Sequence, residues 1–118
     1  MKIIKLIAVI LEALKCPFCL TQSIEGAISR LICEILLKTD RQNHCEAENW
    51  IKKAIDSDKT NGTMFQLGRD YAVYADLFKC TGAKSKAVDH LNAAIDTMKE
   101  CCADKWVNKF EKEMETLL

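Results

Sequence analysis

Proline occurs once in this 118-residue chain and glycine four times, which is little punctuation for a many-stranded sheet. Neither sign of charge is in excess: 17 basic residues balance 17 acidic ones. Such a balance argues against nucleic acid or an anionic membrane as the main partner. Histidine is scarce, with only His44 and His90, and neither belongs to a nucleophile–base–orienter pattern. Gly62, Gly68 and Gly82 stand apart, so no glycine loop is available to cradle a phosphate. Cys16-Pro17-Phe18-Cys19 has no second Cys-x-x-Cys to complete a zinc site. The adjacent His44-Cys45 pair points in two directions about 100° apart on a helix. A thioredoxin-like site would follow a strand in a βαβ pattern, which is missing. These absences lead us to expect no enzyme and no cofactor.

What is present is helix-forming. Apolar residues make up 49% and charged residues 29%, as in a single soluble globular domain with a modest core. Met1–Lys15 carries Ile3, Ile4, Leu6, Ile7, Val9, Ile10, Leu11 and Leu14 after a basic start. Lys5 and Glu12 interrupt this run, and Ala13-Leu14-Lys15 is a poor signal-cleavage site. The run is too short to cross a bilayer, so we expect a helix packed on the next hairpin or on a second copy, in a cytoplasmic protein. Ile24, Ala27, Ile28, Leu31, Ile32, Ile35 and Leu36 then mark a helix over about 21–38, and a third follows near 44–57.

The chain is organised around Tyr71–Ile95. Tyr71, Tyr74-Ala75 and Phe78 share one helical face, Gly82 breaks the run, and Ala87, Leu91 and Ala94-Ile95 form a second face. Aromatics on the first helix seat over alanines on the second, so two antiparallel helices approach closely. These slots, filled in register, resemble a tetratricopeptide repeat. Ala47, Ile51, Ala54 and Ile55 reappear 40 residues on as Ala87, Leu91, Ala94 and Ile95. In the same register Leu31 and Ile35 match Tyr71 and Ala75, but Glu34, Lys38 and Gln42 stand where Tyr74, Phe78 and Gly82 do.

A 40-residue period exceeds the usual value of about 34 and resembles the longer repeats of large bacterial regulators and signalling ATPases. We place the extra length in a linker at 58–62, which ends in Asn61-Gly62. Cys101-Cys102-Ala103-Asp104-Lys105-Trp106 is similar to the segment that closes such arrays, with Cys102 and Lys105 where glycine is usual. Asp104 is expected to cap the last helix, and Trp106 and Phe110 to cover the end of the core. The expected fold is therefore all-α: antiparallel hairpins stacked as a short right-handed solenoid of about 5–6 helices. Its parts are an apolar helix and turn at 1–20, a degenerate repeat at 21–57, the linker, a repeat at 63–100 and a capping helix at 101–118.

The resemblance implies a protein–protein interaction or scaffolding module whose first helices line a concave groove for a peptide or helix. Carried over slot by slot, the groove residues of the second repeat are Arg69, Ala72, Val73, Asp76, Lys79 and Cys80. Those of the first are Ser29, Ile32, Cys33 and Leu36. Arg69 and Lys79 suit a carboxylate or carbonyl, and Asp76 suits a basic side chain. Two other readings stay open: self-association through the Met1–Lys15 helix into a homodimer, and a thiol redox or zinc protein using Cys16 and Cys19. The seven cysteines follow helices rather than loops, and reduced core thiols are the simplest account of them. His90 and the acidic residues are expected on solvated helix faces, with no carboxylate pair.

Overall fold

A computed structural model describes residues 20–39 and 43–118. They form five helices: α1 (Leu20–Thr39), α2 (His44–Asn61), α3 (Met64–Thr81), α4 (Lys84–Glu100) and α5 (Asp104–Leu117). No strand occurs among the described residues. The Met1–Lys15 helix and the Cys16–Cys19 turn lie outside them.

The last four helices begin at residues 44, 64, 84 and 104, a strict 20-residue step that arises at the turns. Gly62 and Gly82 adopt left-handed φ values of 69° and 81°, and Cys102 does the same at 57°. In each turn two amides close the preceding helix. Gly62 N–H donates to Lys59 O and Thr63 N–H to Asp58 O. Gly82 and Ala83 repeat this on Lys79 and Phe78, and Cys102 and Ala103 on Lys99 and Met98. This is the Schellman closure, and it satisfies carbonyls that a helix end leaves without partners. The next helix then starts at once, so consecutive helices run antiparallel.

Two boundaries differ from the sequence expectation. Asp58–Asn61 is not a linker but the last turn of α2, because Asp58 and Lys59 supply the carbonyls that close the helix. The long period is thus spent on longer helices. Asp104 is the first residue of α5 rather than its cap, and Ala103 precedes it without a side-chain cap. The carboxylate of Asp104 instead sits in the first turn, where the helix dipole favours it.

Cys102 keeps the turn that glycine makes at 62 and 82, but its Cβ pays for the left-handed backbone. Cys102→Gly should therefore raise the unfolding free energy by about 1 kcal/mol, and Gly82→Ala should lower it by a similar amount. Urea melts of both variants check this; equal midpoints for Cys102→Gly and wild type would contradict it.

Packing joins the hairpins through α3. Helix α1 pairs with α2 and α3 with α4, while α2 stacks on α3 and α5 on α4. Leu67, Val73 and Leu77 of α3 join Ile32, Cys33, Leu36, Ala47, Ile51, Ala54 and Ile55 in one core cluster. Ala72 and Ala75 join Leu91, Ala94, Ile95, Met98, Val107 and Phe110 in the other. Ala87 and Ala94 of α4 have no exposed surface, and Phe65 and Tyr71 of α3 pack against the cluster that holds Ala94. Tyr74 stacks on Phe78 with ring centroids 4.7 Å apart. His90 is not solvated as expected, but lies half-buried against both rings at 4.5 and 5.0 Å.

Candidate functional site

Helices α1 and α3, the first helices of the two hairpins, and the final helix α5 line a trough of about 460 Å³. Helix α3 contributes Arg69, Ala72, Val73, Asp76 and Cys80, five of the six residues assigned to the groove from its sequence. Lys79 does not line the trough, but its ammonium lies 3.5 Å from Asp76 Oδ1 at the edge. A smaller cleft of about 250 Å³ shares Glu34 and Arg69 with the trough and continues it toward Ile28 and Leu31.

The first-repeat residues are placed otherwise. Ser29, Ile32, Cys33 and Leu36 have no exposed surface, and the last three pack into the α1–α2–α3 core. The trough instead receives Glu34, Leu37 and Lys38. The exposed arc of α1 lies about one residue further on, a rotation of about 100°. The degenerate apolar pattern of α1 explains this: its strongest hydrophobes turn toward α2 and α3, which reorients the rest.

Helix α5 supplies Trp106, Lys109, Phe110 and Glu113; the sequence suggests Trp106 and Phe110 as end-covering and Glu113 as solvated, and gives no role to Lys109. Two of them carried a signal, because Lys109 and Glu113 lie forty residues after the trough residues Arg69 and Val73. Trp106 meets Phe65 edge-on at 5.6 Å and Phe110 at 5.8 Å. Arg69 and Lys109 lie over its ring, 5.2 and 5.0 Å from the centroid. Burial raises the pKa of Glu113, and the nearby Asp76 carboxylate adds to that rise.

Beneath this face lies a buried polar cluster that joins three helices. Asp58 of α2 and Asp70 of α3 have no exposed surface, and Arg30 of α1 has 5%. Arg30 Nη1 donates to Asp70 Oδ1 at 3.1 Å and to Gln66 Oε1 at 2.8 Å. Thr63 Oγ1 donates to Asp58 Oδ1 at 2.8 Å. Burial first of all pushes the Asp70 carboxyl up to about 9; the hydrogen bond with Asp58 and its charge add to the rise, and Arg30 opposes it. Asp58 Oδ2 and Asp70 Oδ2 are buried without another hydrogen-bond partner, and the proton that burial keeps on Asp70 supplies a donor there. The expectation that no carboxylate pair exists is thereby corrected. The visible clue was positional, since Asp58 stands forty residues before the core residue Met98.

The five described cysteines are free. Cys33 is a core thiol, pushed up to about 12 mainly by burial, and so inert toward oxidants at neutral pH. Cys45, Cys80 and Cys102 are exposed rather than buried. No group of three or more metal-binding side chains occurs among the described residues, and none of their helices is long and apolar enough to cross a membrane. Cys16 and Cys19 lie outside the described residues. No protein-family model, curated protein or solved structure matches this chain.

Proposed function

We propose that this protein is a non-enzymatic interaction module of the tetratricopeptide kind, which binds a peptide or helix in the trough between α1, α3 and α5. The observation that supports this most is that the first helices of the two hairpins and the final helix converge on one concave surface. That surface mixes apolar and charged groups: Ala72, Val73, Trp106 and Phe110 line it together with Lys38, Asp76, Lys109 and Glu113. Aromatic and basic side chains of this kind dominate the energetics of protein interfaces. Arg69 lies over the face of Trp106 and, among the described residues, has no ion pair within 4 Å, which leaves its N–H groups for an acceptor. In this reading the buried Arg30–Asp70–Asp58 cluster ties α1 to α3 and sets the width of the trough.

A photo-crosslinking amino acid tests this reading. Placed at Asp76 in the trough, it should yield discrete adducts with a partner in cells. Placed at Asp96, exposed on α4, it should yield none. Equal adducts from both positions, or adducts from Asp96 alone, would put the partner surface elsewhere.

A further inference from the structure

We infer that the occupant of the trough is an acidic peptide segment, with an apolar side chain on Trp106 and its acidic groups on Arg69, Lys109 and Lys38. The inference rests on the peptide-binding reading and adds the chemistry of the partner. It follows from which charges in the trough already have partners. Three acidic and three basic side chains line it, so the simple sum shows no preference. The acidic set is largely provided for: Glu34 Oε1 lies 3.9 Å from Arg30, Asp76 Oδ1 lies 3.5 Å from Lys79, and Glu113 shares the charges of Lys79 and Lys109. Arg69 feels Glu34, and Lys109 feels Asp76, only from beyond ion-pair distance. Among the described residues neither Arg69, Lys109 nor Lys38 has an ion pair or a side-chain hydrogen bond.

Arg69 and Lys109 instead hold the ring of Trp106 between two helices. A ring face attracts a cation without cancelling its charge, so both remain available to an anionic group. They come from α3 and α5, and Lys38 comes from α1. A ligand meeting all three therefore spans the trough, as an extended or helical segment does and a single small anion does not. The aromatic surface of Trp106 and Phe110 beside the cations supplies the apolar contact that such a segment needs for affinity, because exposed charge pairs by themselves contribute little.

The test is to pan a random-peptide phage library on the purified full-length chain. Enriched peptides are then measured against wild type, the Arg69→Gln/Lys109→Gln double variant and Asp76→Trp, which fills the trough. Circular dichroism verifies that each variant is folded. The enriched peptides should carry net negative charge and at least one large apolar residue. Their affinity should fall about ten-fold for each cation removed and should weaken as salt is raised. Neutral or basic peptides that Asp76→Trp displaces would overturn the acidic assignment and leave the groove reading standing. Peptides indifferent to Asp76→Trp, or no enrichment on wild type, would overturn both.

Discussion

Asp70→Asn should abolish a pH dependence of stability that the wild-type chain carries between about pH 4 and pH 9. The folded Asp70 carboxyl titrates at about 9, against an ordinary value of 3.8. Its pKa is raised by folding, so the folded state holds a proton that the unfolded state has released. The stability linked to that proton is fully present below the unfolded value and is lost as pH rises through the folded one. Within this window each pH unit removes up to about 1.4 kcal/mol. Asparagine supplies an N–H toward Asp58 and an oxygen toward Arg30 at every pH, so the slope attributable to residue 70 disappears. Asp70→Ala is the contrasting case. It leaves Arg30 and Asp58 buried without their common partner and should cost about 3 kcal/mol or more at neutral pH. Urea melts from pH 5 to 9 decide this. Parallel curves for wild type and Asp70→Asn would mean that no proton is held between the two carboxyl groups.

Gly26→Ala should destabilise the fold by about 3 kcal/mol, whereas Gly68→Ala should change stability by less than about 1 kcal/mol. Both glycines lie inside a first helix and face a residue near the end of the second helix of the same hairpin. A Cβ at Gly26 would stand 2.5 Å from Asp58 Oδ1 and 2.8 Å from its Cγ. That carboxyl sits on a short side chain, held by Thr63 and by Asp70, and has nowhere to retreat. A Cβ at Gly68 would stand 2.9 Å from Met98 Cε, 3.1 Å from its Sδ and 3.2 Å from its Cγ, atoms of a flexible thioether chain that repacks within the core. The helix propensity gained by alanine, about 1 kcal/mol, then offsets the crowding. Equal losses for the two variants would mean that Asp58 is as mobile as Met98 and that the cluster does not hold it.

These two sites show what sequence spacing conveyed and what it did not. The helical hairpins, the glycine turns at Gly62 and Gly82 and the aromatic–alanine pairing were legible, because each depends on residues a few positions apart. So were five trough residues of α3, since a single regular helix keeps the phase of its pattern. The part played by Cys102 was obscured, because a cysteine occupies the left-handed turn where the two earlier turns have glycine. The phase of α1 was misassigned, since Ser29, Ile32, Cys33 and Leu36 are buried against neighbours that a local pattern does not reveal.

The amino-acid sequence by itself determined an all-α chain, its 40-residue internal repeat and the helix that carries most of the candidate groove. Local periodicity and turn chemistry suffice for those, because each is settled within one or two helical turns. Only the tertiary structure decided which face of α1 meets the core, that Trp106 and Lys109 share the trough with Arg69, and that Asp58, Asp70 and Arg30 are buried together. Each of these depends on residues twelve to forty positions apart in sequence being brought into contact. Burial then sets protonation: an aspartate that would be ionised in water keeps its proton where a second carboxyl group lies beside it and no water reaches.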